Sequence, residues 1–543
     1  MTKTRLKVAD FFCGGGGFSE GFRQNDLDIV FALDHWQPAI DTHHLNHPDC
    51  NTVKMDILEL DTPEKIDEHI PDVDVIIGSP PCVSFSGSNN AGKADKTLGI
   101  KLIESYLRIV AWKKYKKGGV LKYWILENVP NAGKYIKDKY TWKELGLPGE
   151  GPDLKMEVSN VFNAADYGAP QTRKRFMCGE FPAPVPTCKD KDEWLTMKEV
   201  MHSLGNPLEG DTGGTITDTN YGFSIASNSL TDHFYDTRVA NFEWKKAKRM
   251  KEDHGFMGKM SFPENLDRPS RTVMATRSAS TRESMIFEAI DKNGKHIGYR
   301  LPTIREIASM MSFPITYQFE AGNESSKYRL VGNAVCAKLS SALAKAILEK
   351  EHIEPPMEFI PLPATKSSFD LTGTKIELKD QKDKRLDAKF AIHIPYIKIK
   401  GFRVELTNKT SDFKSGNIKW SCVLHQGSGK NATMCSPEEC NLTGLINEIP
   451  KFDDLINDVK RTFDEIDTTS MDLQRAYVSS CQTEDITPEM ALQKMRDIVD
   501  VHFPDEAAMV DNSEVIIAIN REQVPLRIVA GLYACDYFVK QLK

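Results

Sequence analysis

The sequence predicts an α/β fold whose N-terminal part is a Rossmann-like, doubly wound, mostly parallel sheet. Three observations carry this. Short β-rich runs alternate with helical patterns through the first 180 residues, a glycine turn follows the first run, and acidic or nucleophilic residues recur where the apolar runs stop. "LKVADFF" reads as the first strand, "CGGGG" as the turn after it and "FSEGFRQ" as the start of a helix. "DIVFALD", "VDVIIGS" and "LKYWILE" are further strands, rich in β-branched and aromatic residues. Between the last two, residues 98–117 space their apolar side chains by three and four, as an amphipathic helix does. Ligands in such folds bind outside the carboxyl ends of the strands. The glycine turn, Asp34, Cys82 and Glu127 all fall there.

A chain of 543 residues is too long for one ordinary core, so two or three domains are expected. From about 182 to 295, glycines, prolines and short apolar runs replace the alternation, which predicts a smaller, loop-rich, mostly β module. Helical patterning returns in "TIREIASMMSF" and "AKLSSALAKAILEKE". The expected division is 1–181 completed by 325–352, then 182–324, a proline-rich linker at 353–365, and a C-terminal α+β domain of unassigned role at 366–543. That last domain is polarised: residues 379–430 carry 12 basic and 5 acidic side chains, whereas 431–543 carry 10 and 21.

The net charge of −7 means that any nucleic-acid role must come from a local positive surface. Eleven scattered cysteines without a C-x-x-C spacing argue for a reducing, cytoplasmic setting and against a disulfide framework. No signal-peptide pattern opens the chain, and no apolar stretch reads as long enough to span a bilayer.

Four groups of residues could carry chemistry. The turn "CGGGG" brings backbone N–H groups toward a ligand, and Asp34 at the next strand end suits two ribose hydroxyls. The strict G-x-G-x-x-G pattern fails, however, because Ser19 occupies the third glycine position, and a turn that only packs helix on strand remains open. Cys82 in "GSPPCVSFSG" is pinned by prolines just past a strand end; it is either a buried filler or a nucleophile. Glu127, emerging from an apolar strand, should hold its proton toward neutral pH. In "YGAPQTRKRFMCGEF", Gln171, Arg173 and Arg175 alternate, so a strand would point all three to one face.

The ordered set "DFFCGGGG", Asp34, Asp56, "SPPC", "ENV", "QTRKR", "RLPTIRE…FP" and "VGNAV" resembles the DNA (cytosine-5) methyltransferases over roughly residues 5–350. The resemblance implies S-adenosylmethionine as cofactor, with Phe12, Gly14, Gly16, Asp34, His35, Asp56, Ile57, Pro80, Leu98, Asn333 and Val335 around it. It implies Cys82 as nucleophile toward cytosine C6, with Glu127, Arg173 and Arg175 assisting, and a base flipped out of double-stranded DNA. Ser86, Gln171, Arg271, Arg277 and Arg282 would contact DNA, the last three within the arginine-rich run that begins at Arg268, and 182–324 would read the target. A monomer is expected, with a cognate restriction endonuclease as the other half of a restriction–modification or phage modification system.

Val83, Pro302 and Ser309 depart from the family pattern. An RNA-methylating member of the family and a catalytically silent DNA-binding module are the alternatives. No metal is expected: Cys422, His425, Cys435 and Cys440 are a conceivable zinc set, but on one strand Cys422 and His425 would face opposite ways.

Overall fold

The computed structural model describes residues 5–82, 85, 95–252, 259–363, 365–378, 380–427, 432–440, 442, 449, 452–480, 485–512 and 522–543. Contacts divide the chain into two units, one of residues 1–239, 263–279 and 283–377, the other of 240–262, 280–282 and 378–543.

The first unit is built on a seven-stranded sheet in the order β3-β2-β1-β4-β5-β9-β8. Its parallel part is β1 (Lys7–Phe11), β2 (Asp28–Asp34), β3 (Asn51–Lys54), β4 (Val75–Gly78) and β5 (Tyr123–Asn128). Helices α1 (Gly17–Arg23), α2 (Gln37–Asn46), α3 (Pro63–His69) and α4 (Thr97–Tyr115) connect these strands. A small ladder of β6 (Lys139–Tyr140) and β7 (Leu154–Lys155) precedes β8 (Val158–Asn163) and β9 (Lys174–Glu180). β9 runs antiparallel to β5, with Glu127 opposite Met177 and Asn128 opposite Phe176. Its N-terminal end therefore lies at the same sheet edge as the carboxyl ends of the parallel strands. That reversal brings Arg175 to Glu127.

Each sheet face is sealed by its own apolar cluster. One gathers Phe18, Phe22, Ile77 and Ile125 with α9 (Ala337–Lys350); the other gathers Phe11, Phe31, Trp124 and Tyr106 of α4. Each large side chain so removed from water contributes about 2–3 kcal/mol. Gly78 is needed for this packing, since a Cβ there would lie 2.4 Å from the Tyr106 ring, whose hydroxyl donates to Ile125 O at 2.8 Å.

The stretch expected to be mostly β is mainly turns and helix. Its regular elements in this unit are α5 (Met197–Leu204) and two hairpins, β10–β11 (Thr215–Thr217, Ser224–Ala226) and β12–β13 (Phe287–Ile290, His296–Arg300). Strands this short bury too little to hold themselves, and bonds made by buried side chains take over. Arg305 donates to Thr231 O (3.2 Å), Asn220 to Ser309 O (3.0 Å), and Arg300 grips Glu306 at 2.8 and 2.7 Å. Pro302 precedes Thr303, which caps α7 (Ile304–Met310) in a capping box with Glu306, so the proline sits where a helix start accepts it. Helix α8 (Glu324–Asn333) follows. The 27-residue stretch Glu324–Lys350 is long and apolar enough for a membrane span, but 78% of its apolar window is buried in the protein, as in core helices.

The second unit has a four-stranded antiparallel sheet, Ala391–Ile399, Phe402–Thr407, Ser421–Gln426 and Thr433–Cys435. Helices Pro488–His502 and Leu526–Gln541 pack on it, and Phe452–Phe463 packs on those helices. It also takes in α6 (Asn241–Glu252), from the middle of the stretch 182–324 that the sequence predicts to be a domain of its own.

Candidate active site

Cys82 sits four residues past β4, partly accessible, on a mount made by three neighbours. Ser79 Oγ donates to Phe12 O at 3.1 Å, Asn128 Nδ2 to Pro80 O at 2.9 Å, and Asn131 Nδ2 to Phe85 O at 3.0 Å. The Phe85 N–H donates back to Cys82 O at 2.9 Å, and the buried Phe85 ring packs on Tyr135. The prolines are thus one part of the support. Asn128 is a positioning residue that the sequence reading quoted without giving it a role; its signal was an amide following an acid at a strand end. Val83 and Ser86 lie outside the described residues.

Beside the thiol, Arg175 Nε binds Glu127 Oε1 at 2.8 Å, with both side chains about nine-tenths buried. Burial raises the Glu127 carboxyl above its ordinary range, and the guanidinium groups of Arg175 and Arg173 only partly offset this. Burial also raises the Cys82 thiol; Glu127 pushes the same way, while Arg175 and Arg173 pull it down. Glu127 and Cys82 therefore disfavour each other's ionisation. Moving one proton from Cys82 to Glu127 leaves a thiolate beside a neutral acid, the pair that addition to an electron-poor ring requires.

Gln171 and Arg173 do not join Arg175 on one strand face, because β9 begins only at Lys174. Both are buried. Gln171 Nε2 donates to Met310 O (3.3 Å) and its Oε1 accepts from Val273 N (3.2 Å), which leaves no surface for a DNA contact. Arg173 donates to Val273 O (3.0 Å) and Gly332 O (2.8 Å). It positions the site and acts on Cys82 through its charge.

The glycine turn divides by function. Phe12, Gly14 and Gly16 have φ of 58°, 51° and 78°. A Cβ on Gly15 or Gly17 would strike Leu330 O at 2.7 Å or Val335 O at 2.1 Å, so those glycines serve close packing against α8 and the turn after it. Gly16 packs too: its N–H is taken by Cys13 O (2.8 Å), and the Tyr317 hydroxyl occupies the space of its missing Cβ. Only at Gly14 is nothing closer than 3.8 Å. Gly17→Ala is expected to force Val335 away, costing about 1–3 kcal/mol of stability. A thermal midpoint equal to wild type would contradict this packing.

Asp34 Oδ2 accepts from Gly14 N (3.0 Å) and Oδ1 from Trp36 N (2.9 Å). Exposed His35 lies against Asp34, whose hydrogen bond and charge raise it, with Asp56 adding to the effect. Asp56 is exposed and caps the short turn of Ile57–Glu59. The Ile57 side chain is buried, so only its backbone can face a ligand. Pro80 is buried, Leu98 and Asn333 are exposed, and Val335 is buried beside Gly17. An open backbone turn flanked by two carboxylates suits a ligand with a ribose diol and a cationic centre. The residues fit S-adenosylmethionine.

Beneath the turn runs a buried polar chain. Ser19 Oγ donates to Asp10 Oδ2 at 2.7 Å, and His43 meets Ser19 Oγ and Thr52 Oγ1, each at 3.0 Å. Burial pushes the Asp10 carboxyl up to about 7. The folded state therefore keeps a proton that the unfolded chain releases near 4, and this group's stabilisation declines as pH rises through about 7. Asp10→Asn should flatten that decline. Urea midpoints of wild type and variant with the same pH slope between pH 4.5 and 7.5 would contradict it.

A model of the C-5 cytosine-specific DNA methylase family matches residues 6–349. The chain belongs to that family. Curated relatives include the type II methyltransferase M.DdeI of Desulfomicrobium norvegicum, 26% identical over 391 residues, covering 63% of this chain and 88% of that protein. The type II methyltransferase M1.HphI of Haemophilus parahaemolyticus is 29% identical over 353 residues, covering 63% and 87%. Among solved structures, S. pombe Dnmt2 methyltransferase aligns with 64% of this chain and all of its own, at 17% identity and a TM-score of 0.41.

As a DNA cytosine-5 methyltransferase, the protein acts on DNA, and its family implies S-adenosylmethionine as the methyl donor. In this methyltransferase the arginine-rich run is less free than its composition suggested. Arg271 is paired with Glu264 (2.8 Å) and Glu283 (3.5 Å), and Arg277 with Glu324 (3.1 Å). Arg268 is exposed, and Arg282 falls in the second unit. A cleft of about 750 Å³ lies by α5 and the β12–β13 hairpin rather than at the catalytic edge; Glu264 and Arg300 in its wall are already paired.

In the second unit, His425 faces Glu405 (3.6 Å) while Cys422 turns inward to hydrogen-bond Cys535; Cys435 and Cys440 have their sulfurs 3.8 Å apart. Among the described residues, no three metal-ligating side chains are placed to hold an ion.

Proposed function

We propose that the protein methylates C5 of a cytosine swung out of duplex DNA, through a transient bond between Cys82 Sγ and C6. The observation that carries this is the meeting of Cys82 with the Glu127–Arg175 pair at the carboxyl edge of the sheet. Glu127, held toward its neutral form, donates to N3 as Cys82 adds to C6, and the ring becomes an enamine-like nucleophile at C5. Arg175 holds O2 and orients Glu127, and Arg173 braces the site from behind. S-adenosylmethionine, when bound, supplies an electrophilic methyl group. Phe12, Gly14, Asp34, His35, Asp56, the Ile57 backbone, Pro80, Leu98, Asn333 and Val335 hold the cofactor, and the Gly16 backbone shapes the turn. Loss of the C5 proton then expels the Cys82 thiolate and restores the aromatic ring. C6 must be approached from its face, which a stacked base does not allow, so the base leaves the duplex.

Residues 1–181 with 325–352 carry the chemistry, and 182–324 read the target. The enzyme acts as a monomer in a cytoplasmic restriction–modification or phage modification system with a cognate endonuclease. Expression in a methylation-free host followed by bisulfite sequencing tests the reading. Protected cytosines at one short recurrent motif are expected; a fully converted genome despite folded protein rules it out.

A further inference from the structure

The second unit carries a cationic surface that the reaction does not use. Helix α6 presents Lys245, Lys248 and Arg249 on one face, at spacings of three and four, while Ala247 and Lys251 are buried on the other. Among the described residues, no carboxylate is paired with Lys245, Lys246, Lys248 or Arg249. The acids of the helix are engaged elsewhere: Glu243 accepts from Ala240 N (3.3 Å) and Glu252 from the Tyr396 hydroxyl (2.8 Å). Lys245 lies 5.9 Å from the Trp244 ring and Lys248 5.7 Å from Phe262, and those two rings stack at 6.0 Å. The lysine ammonium groups thus lie beside aromatic rings, which limits the conformational freedom lost on binding.

The whole chain is acidic, which makes such a local concentration of positive charge more telling.

We propose that Lys245, Lys248 and Arg249 form a second DNA-binding surface that holds backbone phosphates of a duplex. The partner is fixed by charge complementarity and by the family's substrate, and the proposal rests on DNA being that substrate. It gives α6, a part of the second unit that lies inside the family match, a place in substrate binding.

The test is the salt dependence of binding to a 30-base-pair duplex, measured by fluorescence anisotropy on the full chain. The variant combines Lys245→Glu, Lys248→Glu and Arg249→Glu, with the Gln triple as a milder version should the first fail to fold. Losing three phosphate contacts should reduce the slope of log Kd against log salt by about 2–3. Affinity at moderate salt should fall about 10- to 100-fold, with the thermal midpoint unchanged. An unchanged slope and affinity in folded variant overturns the proposal. So does an unchanged duplex slope with weakened binding of transfer RNA, which would assign the surface to RNA. Wild-type protein that methylates no DNA at all would instead remove the function on which the proposal stands.

Discussion

Cys82→Ala protein is expected to fold, bind DNA and transfer no measurable methyl group, a loss of about 10⁴- to 10⁶-fold. The reason is chemical. Without addition at C6, cytosine C5 is too electron-poor to attack a methyl sulfonium, and no neighbouring side chain can take the place of a thiolate. The fold should tolerate the change because Cys82 is partly accessible, and the loop is held by Ser79, Asn128 and Asn131 through backbone atoms rather than through the thiol. The thermal midpoint should therefore stay close to wild type. Activity within tenfold of wild type, or insoluble protein, would return Cys82 to the role of a packing residue.

Glu127→Gln should lower kcat by about 10²- to 10⁴-fold and, at the same time, make Cys82 more reactive. These opposite effects follow from one geometry. The Glu127 carboxylate raises the Cys82 thiol, so a neutral amide removes one of the two causes of that rise and leaves burial alone. Alkylation of Cys82 by iodoacetamide near pH 7.5, followed by peptide mass spectrometry, should be faster in Glu127→Gln than in wild type. Arg175→Met should act the other way, since Arg175 lowers both groups. In wild type, kcat/KM should rise with pH as the Cys82–Glu127 pair loses its first proton, on an acid limb raised by the burial of Glu127, and fall on the alkaline limb as the shared second proton leaves. Unchanged alkylation in Glu127→Gln would separate the two residues and remove the shared-proton account.

Four of the five parallel strands were legible because each is a mostly apolar run, "KVADF", "DIVFALD", "VIIG" and "YWILEN". "DIVFALD" matches β2 residue for residue, and the helix read at 98–117 is α4, Thr97–Tyr115. β3, with only partly buried residues in "NTVK", lacked that signal. The order of the motifs carried the site, and the structure brings Cys82, Glu127 and Arg175 together. What the sequence could not carry was pairing across distance. Arg173 reaches carbonyls at positions 273 and 332, and Arg277 meets Glu324; neither local composition nor periodicity encodes such partners. The same limit hid the division of labour in the glycine turn, where the oxygens of Leu330 and Val335 decide which glycines pack. It also hid α6, whose burial against the C-terminal unit depends on residues more than 100 positions away, such as Tyr396.

The most direct measurement is trapping on a duplex in which the target cytosine carries fluorine at C5. Fluorine cannot leave as a proton does, so after methyl transfer the elimination stalls with the enzyme still bonded to C6. Intact-mass and peptide analysis should then find one oligonucleotide adduct, on the peptide containing Cys82, formed only with S-adenosylmethionine present and absent from Cys82→Ala. Folded, DNA-binding protein that forms no adduct, or forms it on another cysteine, would contradict the assignment of Cys82 as the nucleophile.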